Sequence, residues 1–135
     1  MPLPPMTRPI RLARCAAACL ALAAMAAQAV GEDAARRFAD EVVRAGDAGG
    51  RAFAVVDKPA ATVWVFDRGG RLLDNSPVLL GQARGDVAPA DIGTRPLSRV
   101  RPHEKVTSAG RYVTEPGRNH RGEDIVWLDY DAGLS

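Results

Sequence analysis

Between Phe53 and Gly81 the chain carries its clearest pattern of apolar and polar positions. Phe53 to Val56 is an apolar, β-branched-rich run. Lys58-Pro59 ends it, because proline offers no backbone N–H to a ladder. Thr62 to Asp67 follows, with Thr62, Trp64 and Phe66 on one face and Val63 and Val65 on the other. Both faces carry bulky residues, so at least one face is expected to be core. Arg68-Gly69-Gly70-Arg71 is a hairpin signal, since paired glycines accept positive φ. Leu72-Leu73 and then Val78 to Leu80 continue the meander, and Gly81 closes it. The pattern predicts three or four short strands.

The flanking segments are weaker. Glu32-Asp33 is placed to cap a short helix, in which Ala35, Phe38, Val42 and Ala45 recur at helical spacing. Gly46 suits its C-terminal stop, and Gly49-Gly50 links it to the first strand. Such a helix is marginal alone and is expected to dock on the sheet. From Gln82 to Lys105, Pro89, Pro96 and Pro102 interrupt the pattern, with Gly85 and Gly93 between them. A loop of this length is commonly functional. Val106 to Thr114 reads as a turn entering a strand, and Glu115 to Gly122 as a polar loop. Asp124 to Tyr130 alternates as an apolar, central strand, with Ile125 and Trp127 on one face and Val126, Leu128 and Tyr130 on the other.

The fold class expected is mainly β: a small mixed β-sheet or β-sandwich partial domain with one short N-terminal helix. Its organisation reads as a signal peptide over 1–29, a helix and linker over 30–50, and an incomplete β domain over 51–135. The signal rests on Arg8, Arg11 and Arg14 without any acid, an Ala/Leu-rich run from Cys15 to Ala27, and the small-x-small site Ala27-Gln28-Ala29. The apolar run is short for a membrane span, which needs about 20 residues. Export to the periplasm or cell envelope is therefore expected, with no stable membrane span after cleavage.

Cleavage changes the charge and cysteine arguments. The chain has 18 basic and 16 acidic residues, and three of the arginines precede Val30. The remaining chain is close to neutral, which argues against a nucleic-acid partner. Both cysteines, Cys15 and Cys19, lie in the signal. The chain from Val30 onward holds neither a disulfide nor a thiol nucleophile.

Four constellations bear on chemistry. Arg84-Gly85-Asp86 matches an integrin-type tripeptide, but three turn-forming residues meet often by chance. His120, Glu123 and Asp124 offer metal-ligand types, suited to a metal hydrolase. Asn119 and Gly122 place them in a loop, without the rigid presentation a metal site needs. Asp129 and Asp131 share a face if their strand continues, and paired carboxylates serve acid–base chemistry; a strand-end pair accepting turn hydrogen bonds is the simpler reading. The segment from Arg95 to Lys105 holds Arg95, Arg99, Arg101, His103 and Lys105, suited to an anionic partner or to plain solvation. No catalytic, cofactor-binding or metal-ligating residue is assigned from these patterns, and no cofactor is implied.

Several segments, in order, resemble the start of an L,D-transpeptidase catalytic domain of the YkuD type. These are Val55-Val56-Asp57-Lys58, Val63-Trp64-Val65-Phe66, Pro77-Val78-Leu79-Leu80-Gly81 and Thr107-Ser108-Ala109-Gly110-Arg111-Tyr112. The last is similar to the family's Thr-Pro-x-Gly-x-Phe segment, with serine for proline and tyrosine for phenylalanine. Ile125 to Tyr130 resembles the strand leading towards the active site. The resemblance spans about Phe53 to Ser135. It implies an enzyme that crosslinks peptidoglycan stem peptides, in which a histidine activates a cysteine and backbone amides stabilise the oxyanion. The family's His-Gly and Ser-x-Gly-Cys segments have no counterpart here, and His103 and His120 match neither. The expectation is an N-terminal fragment of an exported enzyme, inactive as it stands, with sheet edges and core surface left open. The alternative is a small periplasmic binding or scaffolding module that uses residues 95–105.

Overall fold

The computed structural model describes residues 29–129 and 131. The segment expected to be a signal peptide, with Cys15 and Cys19, lies outside the described residues apart from its last position. Among the described residues the architecture is mainly β, with one helix and five strands in two antiparallel sheets. The chain divides into two compact units, with the boundary between Val78 and Leu79. No helix among the described residues is long and apolar enough to cross a membrane.

The first unit is built on the pattern from Phe53 to Val78. Strands β1 (Phe53–Asp57), β2 (Thr62–Phe66) and β3 (Leu72–Pro77) form an antiparallel meander in the order β1-β2-β3. Of the two bulky faces of β2, the one carrying Trp64 and Phe66 is buried, and Phe66 has no exposed surface. Phe53 lies opposite Phe66, and Val55 opposite Trp64. The Phe53 and Phe66 rings stack with centroids 5.4 Å apart. Such an aromatic pair adds about 0.5–1.5 kcal/mol to the burial of its area.

Helix α1, residues 29–45, covers this face. Of the expected stripe, Ala35 is buried and Val42 half-buried, whereas Phe38 and Ala45 are exposed. Ala35 and Ala39 are buried with Gly31, while Phe38 is 55% exposed. Small residues four apart let the helix backbone approach the large rings of β2. A methyl group at Gly31 would stand 3.7 Å from the Trp64 ring. The helix is already formed at residue 29, so Glu32 and Asp33 lie within it and do not cap it. Its C-terminus follows expectation. Gly46 has φ +65°, its N–H donates to the Val43 carbonyl, and the Asp47 N–H donates to the Val42 carbonyl. These are the paired bonds of a Schellman cap.

The turn at Arg68–Gly70 is held by Asp67. Its Oδ1 accepts the N–H groups of Gly69 and Arg71, both at 2.9 Å, and its Oδ2 accepts Arg71 Nε at 3.1 Å. Gly70, at φ +81°, supplies the left-handed residue that a three-residue hairpin loop needs. Beyond the hairpin, Phe66 faces Leu72 and Val65 faces Asp74, so Leu73 is the extra residue of a bulge. Strand β3 then runs through the polar Asp74-Asn75-Ser76, where the apolar pattern lapses. Val78 to Leu80, expected to extend the meander, are not in a strand. Pairing with β2 continues through backbone groups, which do not require apolar side chains.

In the second unit two expectations are corrected. Arg111 to Thr114, expected to be extended, hold no strand, whereas Glu115–Arg118, expected to be loop, is β4. It pairs with β5 (Asp124–Trp127) in a two-stranded sheet, so among the described residues β5 has one neighbour and is not central, and it stops short of Tyr130, which lies outside the described residues. The turn between them explains both. Asn119 Oδ1 accepts the N–H groups of Arg121 and Glu123, and Gly122 takes φ +80°. This Asx-type turn sets a hairpin register that forces Pro116-Gly117 opposite Val126-Ile125. The Trp127 indole covers Gly117 so closely that a methyl group there would lie 2.6 Å from the ring.

Candidate functional site

Gln82 to Lys105 is irregular but tightly tied. Gly81 and Ala83 run beside Lys105 to Thr107 through a parallel bridge between Ala83 and Val106. The Gly81 N–H donates to Thr107 Oγ1 at 2.8 Å, and the Ala83 N–H donates to the Lys105 carbonyl at 3.0 Å. Further along, the Ala88 N–H donates to Ser108 Oγ at 3.0 Å, and the Ala109 N–H to the Asp86 carbonyl at 2.9 Å. The Tyr112 hydroxyl donates back to the Ser108 carbonyl at 3.1 Å. A side chain at Gly81 would run into the Lys105 carbonyl. The glycine is therefore required by the close approach of two backbones.

This pairing disposes of the tripeptide reading. Arg84-Gly85-Asp86 lies inside the paired segment, between Ala83, bridged to Val106, and Ala88, bonded to Ser108, with the Asp86 carbonyl accepting the Ala109 N–H. It is not a projecting loop tip.

The metal-ligand types near the β4–β5 hairpin are also accounted for. His120 is in the turn. Glu123 accepts a hydrogen bond from Asn119 Nδ2 at 2.6 Å, and its backbone carbonyl accepts the Asn119 N–H. Asp124 pairs with Arg118 at 3.2 Å across the exposed ladder. No group of three or more metal-ligating side chains converges among the described residues. Asp129 is half-buried and already engaged, and Asp131 is exposed in a turn.

In the basic segment, charge is sorted between the inside and the outside of the loop. Arg95 turns inward. Its Nη1 stands 3.1 Å from both carboxylate oxygens of Glu104, and its Nε stands 3.1 Å from Asp91 Oδ2. Glu104 also accepts the backbone N–H of Arg101 at 2.9 Å. That amide bond, with help from Arg95, holds the Glu104 carboxyl below its ordinary pKa. Arg99, Arg101, His103 and Lys105 are exposed. Treating the loop as one basic patch missed Glu104 as its clasp. The signal for it was present: proline at the first position of a helical turn and glutamate at the third, in Arg101-Pro102-His103-Glu104, is the capping pattern seen here over Pro102–Glu104.

No family model, no curated protein and no solved structure matches the chain.

Proposed function

We propose that this chain forms the first part of an exported L,D-transpeptidase-like domain, a portion that meets peptidoglycan stem peptides but carries no nucleophile of its own. One observation carries the reading. Two of the segments on which the resemblance rests, one ending at Gly81 and one opening at Thr107, are hydrogen-bonded side by side although their contacting residues are 26 positions apart. Each has its distinctive residue at the contact: a glycine where no side chain fits, and a threonine whose hydroxyl accepts the glycine's N–H. The resemblance rests on residue types and their order alone, so the meeting of the two segments supports treating them as one piece of architecture.

The chemistry rests on the residues the chain contains. After Cys19 there is no thiol, so that part of the chain supplies no nucleophile for a Cys–His mechanism. The histidine and cysteine would have to come from sequence beyond Ser135. Sequencing the genomic locus through the codon for Ser135 tests this. An uninterrupted frame with a His-Gly segment and then Ser-x-Gly-Cys is the expected result. A stop codon directly after Ser135, with no related frame downstream, would overturn it.

A further inference from the structure

We infer that residues 95–105 form a pre-shaped docking loop for an acidic peptide segment that carries an apolar side chain among its carboxylates. The loop is closed on itself before any partner arrives. Arg95 and Glu104, nine residues apart, pair through both carboxylate oxygens, and their side chains are only 23% and 18% exposed. Pro96 and Pro102 fix two backbone angles, Val100 is buried, and the Lys105 carbonyl is tied to Ala83. The clasp uses Arg95, Asp91 and Glu104 among themselves. Arg99, Arg101 and Lys105 then stand outward as three full positive charges, with His103 between them and Leu97 86% exposed.

Guanidinium and ammonium groups recognise carboxylates, and Leu97 offers a matching apolar contact. A single-stranded nucleic acid fits less well. No Phe, Tyr or Trp lies between Phe66 and Tyr112, so His103 is the one ring the loop offers for base stacking. A loop already held in shape loses little freedom on binding, which favours affinity. The inference does not depend on the transpeptidase reading.

The test uses the full chain and a fluorescent poly-glutamate peptide with one central leucine, read by anisotropy at low salt. Saturable binding that weakens with added salt is expected. Arg99→Glu together with Arg101→Glu should weaken it about tenfold or more. Leu97→Ser should remove the advantage of the leucine peptide over plain poly-glutamate. Glu104→Gln is the discriminating variant. It makes the loop more positive, so a merely cationic surface would bind tighter, whereas loss of the clasp should weaken binding. Three results would each overturn the inference: no binding by the native chain, tighter binding by Glu104→Gln, or polyphosphate competing as well as the peptide with Leu97→Ser indifferent.

Discussion

The Gly81 N–H and Thr107 Oγ1 are 2.8 Å apart, and that bond joins two stretches of chain that the sequence separates by the whole proline-rich segment. It works only because position 81 has no side chain. Gly81→Ala should therefore separate the two stretches and destabilise the second unit by about 2 kcal/mol or more, the range for an overpacked contact. Amide exchange at Ala83, whose N–H is bonded to Lys105, should speed up with it. Unchanged protection at Ala83 would contradict the close approach. Thr107→Val, which removes only the acceptor, should cost about 1 kcal/mol.

Phe66 and Phe38 make a second contrast. Phe66 is fully buried and stacked on Phe53, so Phe66→Ala should cost about 3–5 kcal/mol. Phe38 faces outward, so Phe38→Ala should change stability by no more than about 0.5 kcal/mol. Urea denaturation of the two variants tests this directly. A large loss at Phe38 would restore the helix face that its spacing first suggested.

The Asp67 turn predicts a pH dependence. The backbone N–H of Arg71, then its side chain, holds the Asp67 carboxyl below its ordinary pKa. A pKa lower in the folded state means that the unfolded chain binds the proton more readily. The stabilisation is thus complete above the ordinary aspartate range and is lost as pH falls through the folded value. Asp67→Asn should lower the urea midpoint at neutral pH and flatten its decline in acid. Parallel acid profiles for the native chain and the variant would exclude this role.

Export makes a fourth prediction. Cleavage after Ala29 should leave a mature chain beginning at Val30, readable by intact mass. It would retain Gly31, Ala35 and Ala39, the side of α1 that packs on the sheet. Recovery of only the uncleaved mass from the cell envelope would argue against a signal peptide.

The first unit was legible where side-chain chemistry sets backbone structure. An apolar, β-branched-rich run located β1, two faces of bulky residues located β2, and the paired glycines located the hairpin. Gly46 located the end of α1. The helix face was legible only in part: Ala35 and Val42 turn inward as their spacing indicates, but the close approach to the β2 rings favours small residues, so Ala39 is buried in place of its neighbour Phe38. Strand β4 was missed for a different reason. Glu115-Pro116-Gly117-Arg118 has no strand propensity of its own, and its conformation is set by the register that Asn119 and Gly122 impose. The Gly81–Thr107 pairing was missed because nothing local signals a contact across 26 residues. The Arg95–Glu104 clasp was hidden by counting charges without asking which ones face each other.

The Asp67 hairpin also has a consequence for the order of assembly. Its bonds span at most four residues, and β1 joins β2 through a turn of only four more. Contacts this local form early and cheaply, because little chain entropy is lost in closing them. The bond between Gly81 and Thr107 must close a much longer loop. Folding should therefore start at the hairpin and spread outward, so that the parallel pairing is the last to form and the first to open under stress.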